Sequence, residues 1–191
     1  RSVLSACIWL DQPANRVSAA RVISSPDYVD LAFGEIVGSL SGMGRQTAGR
    51  MQLDMPDFNV FHRYAANFPW RSHAKWILSQ MVRWGEAPAD LDFESIARSA
   101  FQPDIYRGVA TSMGIPCPDQ DEKPEGAHSH AWLLNTASAP IAFGPDRFLD
   151  GRIFDPADIE NYIAGFDIRH RGSRLGERDE AQVMNMAKAG R

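Results

Sequence analysis

The chain has 191 residues, of which 44% are hydrophobic and 23% are charged, and its formal net charge is −4 at pH 7. This composition is typical of a globular domain and excludes a fibrous or wholly disordered chain. The acidic balance argues against direct nucleic-acid binding, because proteins that follow a phosphate backbone are normally basic. No hydrophobic run approaches the length of a membrane-spanning helix.

The two cysteines lie in different contexts, Cys7 in an apolar helical pattern and Cys117 between two prolines. They predict neither a metal site nor a disulfide framework, so they do not distinguish a reducing compartment from an oxidising one. The sequence begins with Arg1 and shows no signal peptide. We therefore expect a fragment or a processed product whose targeting segment lies outside these residues.

Helical patterns dominate the beginning of the chain. Residues 2–10 are apolar enough for a buried helix, Pro13 is predicted to break it, and Asn15 is predicted to cap a second helix over 16–24. Ser25 and Pro26 are expected to open a third helix, with one face formed by Val29, Ala32, Phe33, Ile36, Val37 and Leu40. The glycine-rich residues 38–49 then predict a mobile loop.

The strongest periodic pattern lies within residues 61–85. Apolar residues recur at helical spacing and predict one buried face, formed by Ala74, Ile77, Leu78, Met81 and Val82. Gly85 is expected to end this helix. Because Pro69 disfavours a helical residue before it and Ser72 is a good N-cap, the helix is predicted to begin near Ser72 or His73.

This start places the Arg71 guanidinium beside backbone N–H groups that lack an acceptor within the helix. A helix amino terminus carries roughly half a positive elementary charge, and arginine adds a planar, two-pronged donor, so the local chemistry favours a small oxyanion. The alternative is that Arg71 and Arg63 pair with surface carboxylates, while His62 and His73 are ordinary hydrogen-bonded residues at the helix end. The pattern alone leaves both interpretations open.

The remaining segments predict a helical scaffold with little extended structure. Residues 57–62 are expected to form a short strand or an extended arm, and residues 115–130 an exposed loop. Short strands are predicted within 131–150, and a charged, flexible tail over 166–191. Three further helices are predicted: one over 92–101 with Asp90 or Asp92 as its cap, one from Pro103, and one over 156–164 after the cap Asp155 and ended by Gly165.

Catalytic and metal-binding signatures are weak in this sequence. Ser72 and His73 cannot form a nucleophile–base pair, because adjacent helical residues diverge by about 100°. Neither a nucleophile elbow nor a zinc-binding helix occurs. His128 and His130 lie too far from Cys117 to give a known ligand spacing. We therefore predict a protein that binds a small ligand, that is not an enzyme, and that uses neither a metal nor a cofactor.

Several long segments carry a resemblance to a known family. HRYAANFPWRSHAKWILSQMVRWG at 62–85, FQPDIYR at 101–107, EGAH at 125–128 and APIAFGPDRFLDGRIFDP at 139–156 resemble the C-terminal half of the CmpA/NrtA family of nitrate- and bicarbonate-binding proteins. The resemblance implies the α-dominated C-terminal portion of a bilobed α/β fold of the type II periplasmic-binding-protein kind. It covers residues 1–165, with the tail 166–191 beyond it.

The family implies a function. Its members deliver an oxyanion to an ABC transporter, so the resemblance implies nitrate or nitrite binding in the periplasm, with ABC permease subunits as partners. Membrane association is then expected only through a partner or a missing N-terminal anchor. The alternative is a cytoplasmic, NasS-like nitrate/nitrite sensor that holds an RNA-binding antiterminator protein inactive.

The resemblance also implies site residues within 68–73. Arg71 falls where nitrate-binding relatives have a basic residue and bicarbonate-binding relatives an acidic, metal-assisting one, which favours nitrate or nitrite. Trp70 is a second candidate as a wall of the cleft, and Ser72 and His73 as hydrogen-bond donors or helix caps. The family's other ligand residues, a Trp, a Gln and a His, come from the absent N-terminal half, so this chain alone is expected to supply one wall of a cleft.

Overall fold

The computed structural model describes residues 1–42 and 57–166, and helices are the main elements of this part of the chain. They are α1 Ser2–Leu10, α2 Pro13–Ile23, α3 Phe33–Ser41, a 3-10 turn at Arg63–Ala65, α4 Arg71–Arg83, α5 Phe93–Ala100, α6 Pro103–Ser112 and α7 Ile159–Ala164. Strands β1 (Trp132–Leu134) and β2 (Ile141–Phe143) form an antiparallel pair in which Leu133 lies opposite Ala142.

The chain divides into two compact units that each combine distant segments. Unit 1 contains residues 1–68, 103–120 and 130–145, and unit 2 contains residues 69–102, 121–129 and those from 146 onward. Unit 1 has a core around Leu4, Ala110 and Cys117, against which Tyr106 and Ile115 pack. Burial raises the pKa of the Tyr106 phenol to about 12. Unit 2 buries the large side chains of Trp70 and Phe154 completely, to 1% and 0% exposure.

A buried arginine holds the N-terminal helices of unit 1 together. The side chain of Arg16 is 3% exposed, and it donates hydrogen bonds to the carbonyls of Leu10 at 3.2 Å, Leu40 at 3.0 Å and Asn59 at 2.9 Å. Leu10 and Leu40 lie at the carboxyl ends of α1 and α3, where backbone carbonyls lack helical partners. One guanidinium therefore satisfies carbonyls at the ends of two helices and the carbonyl of Asn59, in the segment before the 3-10 turn.

A buried carboxylate holds the residues that follow Asn59 in place. Asp11 accepts hydrogen bonds from the backbone N–H groups of Phe61 at 2.9 Å, His62 at 2.7 Å and Arg63 at 2.5 Å. Burial raises the pKa of Asp11, but the three backbone hydrogen bonds outweigh it, so the pKa is lowered. Of the two alternatives predicted for residues 57–62, the short strand does not form, because these backbone groups bond to Asp11 rather than to a neighbouring strand.

The sequence predicted α1, α5, α6, and the strands within 131–150 correctly. α5 begins where Asp92 accepts a hydrogen bond from the Ser95 N–H at 2.9 Å, as its cap position predicts. α6 begins at Pro103, where the missing proline N–H costs nothing because that position has no helical acceptor. The final helix ends at Gly165 as predicted.

Several helix boundaries were predicted wrongly. α2 begins at Pro13 rather than after Asn15, because proline is well accommodated at the first helical position. α3 begins only at Phe33, and of its predicted face only Ile36 is buried. The last helix begins at Ile159, because the Asp155 carboxylate accepts from the Ala157 N–H at 2.9 Å and forms a turn first.

Two predicted flexible regions fall largely outside the described residues. Residues 38–41 are helical and Gly42, with a φ of +69°, closes α3, so the loop predicted from residue 38 begins too early. Residues 43–49 of that loop, and all of the predicted tail after Phe166, lie outside the described residues. Phe166 itself packs against Tyr162 and lies 3.7 Å from the Arg83 guanidinium carbon, measured to the ring centroid.

We predict that Arg16→Met lowers the free energy of unfolding by about 3 kcal/mol, because three carbonyls lose a charged donor and Asp11 loses a neighbouring cation. Urea unfolding followed by circular dichroism measures the effect. Arg21→Met is the matched control on the same helix, since Arg21 is exposed and is expected to change stability by less than about 0.5 kcal/mol. Equal effects of the two substitutions would contradict the role of Arg16.

Candidate functional site

Helix α4 begins at Arg71, earlier than the predicted start at Ser72 or His73. Its N-cap residue is Trp70, so Ser72 lies inside the first turn and the prediction of Ser72 as cap is wrong. The Ser72 side chain is fully buried, and its hydroxyl donates to Glu125 Oε1 at 2.7 Å. A carboxylate from another segment therefore engages the hydroxyl that the sequence suggested as a helix cap.

The backbone donors at this helix end have partners within the chain. The Arg71 N–H donates to the Asp121 carbonyl at 2.8 Å, while those of His73 and Ala74 donate to the Trp70 carbonyl at 3.0 and 3.4 Å. The predicted row of N–H groups without acceptors is therefore not observed at these three residues. The segment around Asp121, in the same chain, therefore contacts the positive amino-terminal end of the helix.

The Arg71 side chain forms an ion pair. Its Nη1 lies 2.5 Å from Asp121 Oδ2, and the side chain is 18% exposed. This is the alternative that the sequence left open, in which Arg71 pairs with a carboxylate. The nearby anion is therefore the chain's own, and an incoming oxyanion must displace Asp121 or share the guanidinium with it.

Glu125 is the centre of a buried polar cluster next to Arg71. Lys123 Nζ donates to Glu125 Oε2, and His73 Nε2 lies 3.3 Å from Glu125 Oε1. Burial raises the pKa of Glu125, but the hydrogen bond with His73 and the charge and hydrogen bond of Lys123 outweigh it, so the pKa is lowered. The carboxylate is therefore stabilised in its ionised form.

The four predicted site residues differ in how they meet solvent. Trp70 is 1% exposed and Ser72 is 0% exposed, so both are part of the interior of unit 2. The Lys123 ammonium lies 5.6 Å from the centroid of the Trp70 ring, within the range of a cation–π contact. Among the four, His73 exposes the most, at 42%, and Arg71 retains partial access.

Of the predicted apolar face of α4 only Ala74 is buried, and the other buried residues of the helix are polar. Ile77 is 48% exposed, whereas Lys75 is 7% exposed. Lys75 Nζ lies 2.7 Å from a Glu94 carboxylate oxygen and 2.6 Å from one of Glu122. Burial lowers the pKa of Lys75, but hydrogen bonds to Glu122 and Glu94 outweigh it and raise the pKa. The other buried residues of the helix are Ser72, Ala74, Ser79 and Gln80.

The residues that engage this face come from a segment predicted to be an exposed loop. Within 115–130, Lys123 and Glu125 are both 7% exposed, so the prediction is wrong for this part. The segment carries charge and proline, which is typical of loops, but its carboxylates face the cationic and hydroxyl side chains of α4. The sequence feature that could have indicated this contact is the opposite charge of the acid-rich segment and of the helix that carries Arg71 and Lys75.

His128, one of the two histidines considered above for a metal site, is also hydrogen-bonded within the chain. The His128 N–H donates to Asp146 Oδ1 at 2.7 Å, and its Nδ1 lies 3.1 Å from Asp146 Oδ2. Across residues 1–42 and 57–166, no group of three or more His, Cys, Asp or Glu side chains is arranged to hold a metal ion. Within the same ranges, no helix is long and apolar enough to cross a membrane.

Unit 1 contains a cavity of about 230 Å³ beside the 3-10 turn. Two residues of this turn adopt left-handed conformations, Tyr64 with a φ of +59° and Ala65 with a φ of +49°. Arg63 borders the cavity, but its Nη2 lies 3.3 Å from Asp57 and its Nε 3.8 Å from Asp11. With these two carboxylates near the cation, the cavity lacks the net positive charge that a bare oxyanion requires. Its other walls include Tyr106, Ile115, Pro116, Pro140 and Ile141.

Comparison with known proteins gives a consistent set of relatives. The chain is 26% identical over 171 residues to the nitrate/nitrite binding protein NrtA of Synechocystis sp., a match that covers 88% of this chain and 34% of NrtA. The nitrate import ATP-binding protein NrtC of the same organism is 28% identical over 180 residues, covering 93% of this chain and 23% of NrtC. No family model matches the sequence.

A bicarbonate-binding relative and a solved structure complete the comparison. The bicarbonate-binding protein CmpA of Synechococcus elongatus is 21% identical over 169 residues, covering 84% of this chain and 34% of CmpA. The crystal structure of the periplasmic nitrate-binding protein NrtA from Synechocystis superposes with a TM-score of 0.65 at 21% identity, over 86% of this chain and 39% of that one. The chain is similar in sequence to members of the CmpA/NrtA family.

The CmpA/NrtA relationship confirms the predicted fold class, a helix-rich portion of the α/β fold found in NrtA. The chain spans about a third of the length of the NrtA and CmpA proteins that it matches. These relatives are named as binding proteins rather than enzymes. Neither the relatives nor the geometry tests the assignment of Arg71, Trp70, Ser72 and His73 as ligand contacts, which stays a prediction.

We predict that Glu125→Gln lowers the free energy of unfolding at pH 7 by about 2 kcal/mol, because Lys123 is left buried beside a neutral amide. Since the pKa of Glu125 is lowered from its ordinary value of 4.5 in the folded state, its contribution is present above that value and is lost as the pH falls below it. The difference between the two proteins is therefore expected to shrink in acid.

Urea unfolding followed by tryptophan fluorescence, repeated at several pH values, measures this dependence. Glu86→Gln is the matched control, because Glu86 is exposed at the end of α4. A stability difference that stayed constant from pH 7 down to pH 3 would show that the carboxylate charge of Glu125 is not its cause.

Proposed function

We propose that this chain is part of a protein that binds nitrate or nitrite as the solute-binding component of an ABC transporter. The observation that carries the proposal is the match to nitrate/nitrite binding NrtA over 88% of the chain. The match to the nitrate import protein NrtC adds a relative that is also named for nitrate. Binding rather than catalysis is then the activity of the whole protein.

Location and partners follow from the same relatives. The structural neighbour NrtA is named as a periplasmic protein, which supports our proposal of a periplasmic location. Its expected partners are the permease and ATP-binding subunits of a nitrate importer. The cytoplasmic sensor with an antiterminator partner is not favoured, because the relatives reported above are named for anion binding and nitrate import.

Within this chain we propose Arg71 as the group that contacts the anion, with His73 beside it. A planar guanidinium matches a planar monoanion through two parallel hydrogen bonds, and its partial exposure allows access. The fully buried Ser72 and Trp70 are then positioning residues, which hold the first turn of α4 through Glu125 and the interior of unit 2. Displacing Asp121 is the cost of binding at this position.

We expect Arg71→Ala in the full-length polypeptide to weaken nitrate binding about tenfold or more, since a charge-assisted hydrogen bond contributes about 1.5–3 kcal/mol. Calorimetric titration with nitrate, nitrite and bicarbonate measures the affinities, and circular dichroism establishes that the variant folds. Arg71→Lys keeps the charge without the fork and should give an intermediate loss.

Arg98→Ala is the matched control, because Arg98 is 64% exposed and pairs with Glu94 on the helix surface. Unchanged nitrate affinity in a folded Arg71→Ala protein would remove Arg71 from the site and leave the transport proposal in place. Failure of the full-length protein to bind nitrate or nitrite would overturn the proposed function itself.

The isolated 191 residues are expected to bind nitrate weakly or undetectably, because they supply one wall of the cleft and its Arg71 is already paired with Asp121. Titration of this chain beside the full-length polypeptide, at equal protein concentration, makes the comparison. Tight nitrate binding by the isolated chain would show that the chain holds a complete anion site.

A further inference from the structure

Exposed apolar side chains concentrate at the beginning of unit 1. Among the described residues, fifteen large hydrophobic side chains are exposed, and eight of them lie between Val3 and Phe33. Five of them lie between the end of α2 and the start of α3, and we call these five residues the 22–33 patch. Its members and their exposed fractions are Val22 57%, Tyr28 66%, Val29 52%, Leu31 51% and Phe33 39%.

The turn that carries the 22–33 patch is ordered by its own backbone. The Ser25 carbonyl accepts from the N–H groups of Tyr28 at 3.0 Å and Asp30 at 3.3 Å, and the Val29 N–H donates to the Ile23 carbonyl at 3.0 Å. Asp30 adopts a left-handed conformation with a φ of +50°. The apolar side chains are therefore presented on a fixed turn rather than on a frayed end.

The helices on either side of the turn are also fixed. α2 packs against α3, and the buried Arg16 on α2 donates to the Leu40 carbonyl at the end of α3. The Arg21 guanidinium lies 5.7 Å from the Phe33 ring centroid and adds a contact across the turn. A rigid, pre-formed apolar surface loses little conformational entropy when a partner covers it.

Five large side chains at about half exposure together leave roughly 400 Å² of apolar side-chain area uncovered, on a turn that also carries the exposed Asp27 and Asp30. The relatives supply a candidate for what covers it. NrtA and CmpA each match this chain along about a third of their own length, so about two thirds of a polypeptide of that kind lies outside these 191 residues.

We infer that the 22–33 patch is an interface on which the remaining polypeptide of an NrtA-like protein packs. The occupant is an apolar face of that polypeptide, and the contact joins parts of one protein rather than two copies. The inference rests on the family relationship and not on which anion is bound. It adds to the proposed anion site a surface in unit 1 that none of the predicted site residues occupies.

The test compares the alkylation of introduced cysteines in the 191-residue chain and in the full-length polypeptide. Leu31→Cys lies in the 22–33 patch, and Leu149→Cys lies at a fully exposed position of unit 2 and serves as the control. Labelling with a maleimide, read by peptide mass spectrometry, separates these thiols from Cys7 and Cys117. We expect labelling at residue 31, relative to residue 149, to slow at least about tenfold in the full-length polypeptide.

Equal relative labelling rates at residue 31 in the two polypeptides would overturn the inference. Slowing in the 191-residue chain alone, increasing with its concentration, would show a second copy as the occupant and would also overturn it. As a second measurement, Leu31→Asp should lower the urea midpoint of the full-length polypeptide and leave that of the 191-residue chain unchanged. Because none of these readouts uses nitrate, their failure is distinguishable from a failure of the proposed function.

Discussion

The polar contact between helix α4 and the segment 121–125 is the constraint on which unit 2 depends. Ser72 and Lys75 are buried on the inner side of the helix, and Glu125 and Glu122 are their partners. Replacing such a buried polar contact as a whole by apolar residues is often neutral or stabilising, whereas removing one partner is strongly destabilising. The contact therefore fixes which segment lies on α4 more than it adds net stability. Unit 1 also contains buried charged side chains that hold segments together, because Asp11 and Arg16 form hydrogen bonds with backbone groups of three separate segments.

The same contact bears on the anion recognition that we propose for this chain. A helix amino terminus with an adjacent arginine is an attractive position for an oxyanion, and here Asp121 occupies it through both its carbonyl and its carboxylate. In the proposed site, binding of an oxyanion at Arg71 is an exchange of one anion for another, because Asp121 already pairs with the guanidinium. If displacing Asp121 requires both the rest of the protein and the ligand, Arg71 stays paired with Asp121 until both are present.

The sequence predicted those features that depend on local chemistry. The Asp92 cap, the proline at the start of α6 and the strand pair within 131–150 each follow from a few neighbouring residues. The sequence failed where distant residues override local preference. Ser72 is a good cap by propensity, yet Glu125, 53 positions away, engages its hydroxyl. The periodic pattern around Ile77 predicted an apolar face, but a buried lysine with two carboxylate partners is compatible with a polar one. The resemblance to the family rests on several long segments of the sequence, whereas the paired state of Arg71 depends on a contact with Asp121 that no spacing reveals.

The most direct test of this account is a thermodynamic cycle on nitrate affinity in the full-length polypeptide, combining Arg71→Ala with Asp121→Asn. If Asp121 is the internal anion that nitrate displaces from Arg71, Asp121→Asn should tighten nitrate binding several-fold, by about 1 kcal/mol, when Arg71 is present and should have no effect when it is absent. An equal effect of Asp121→Asn in both backgrounds, or none in either, would contradict the exchange of anions at the start of α4.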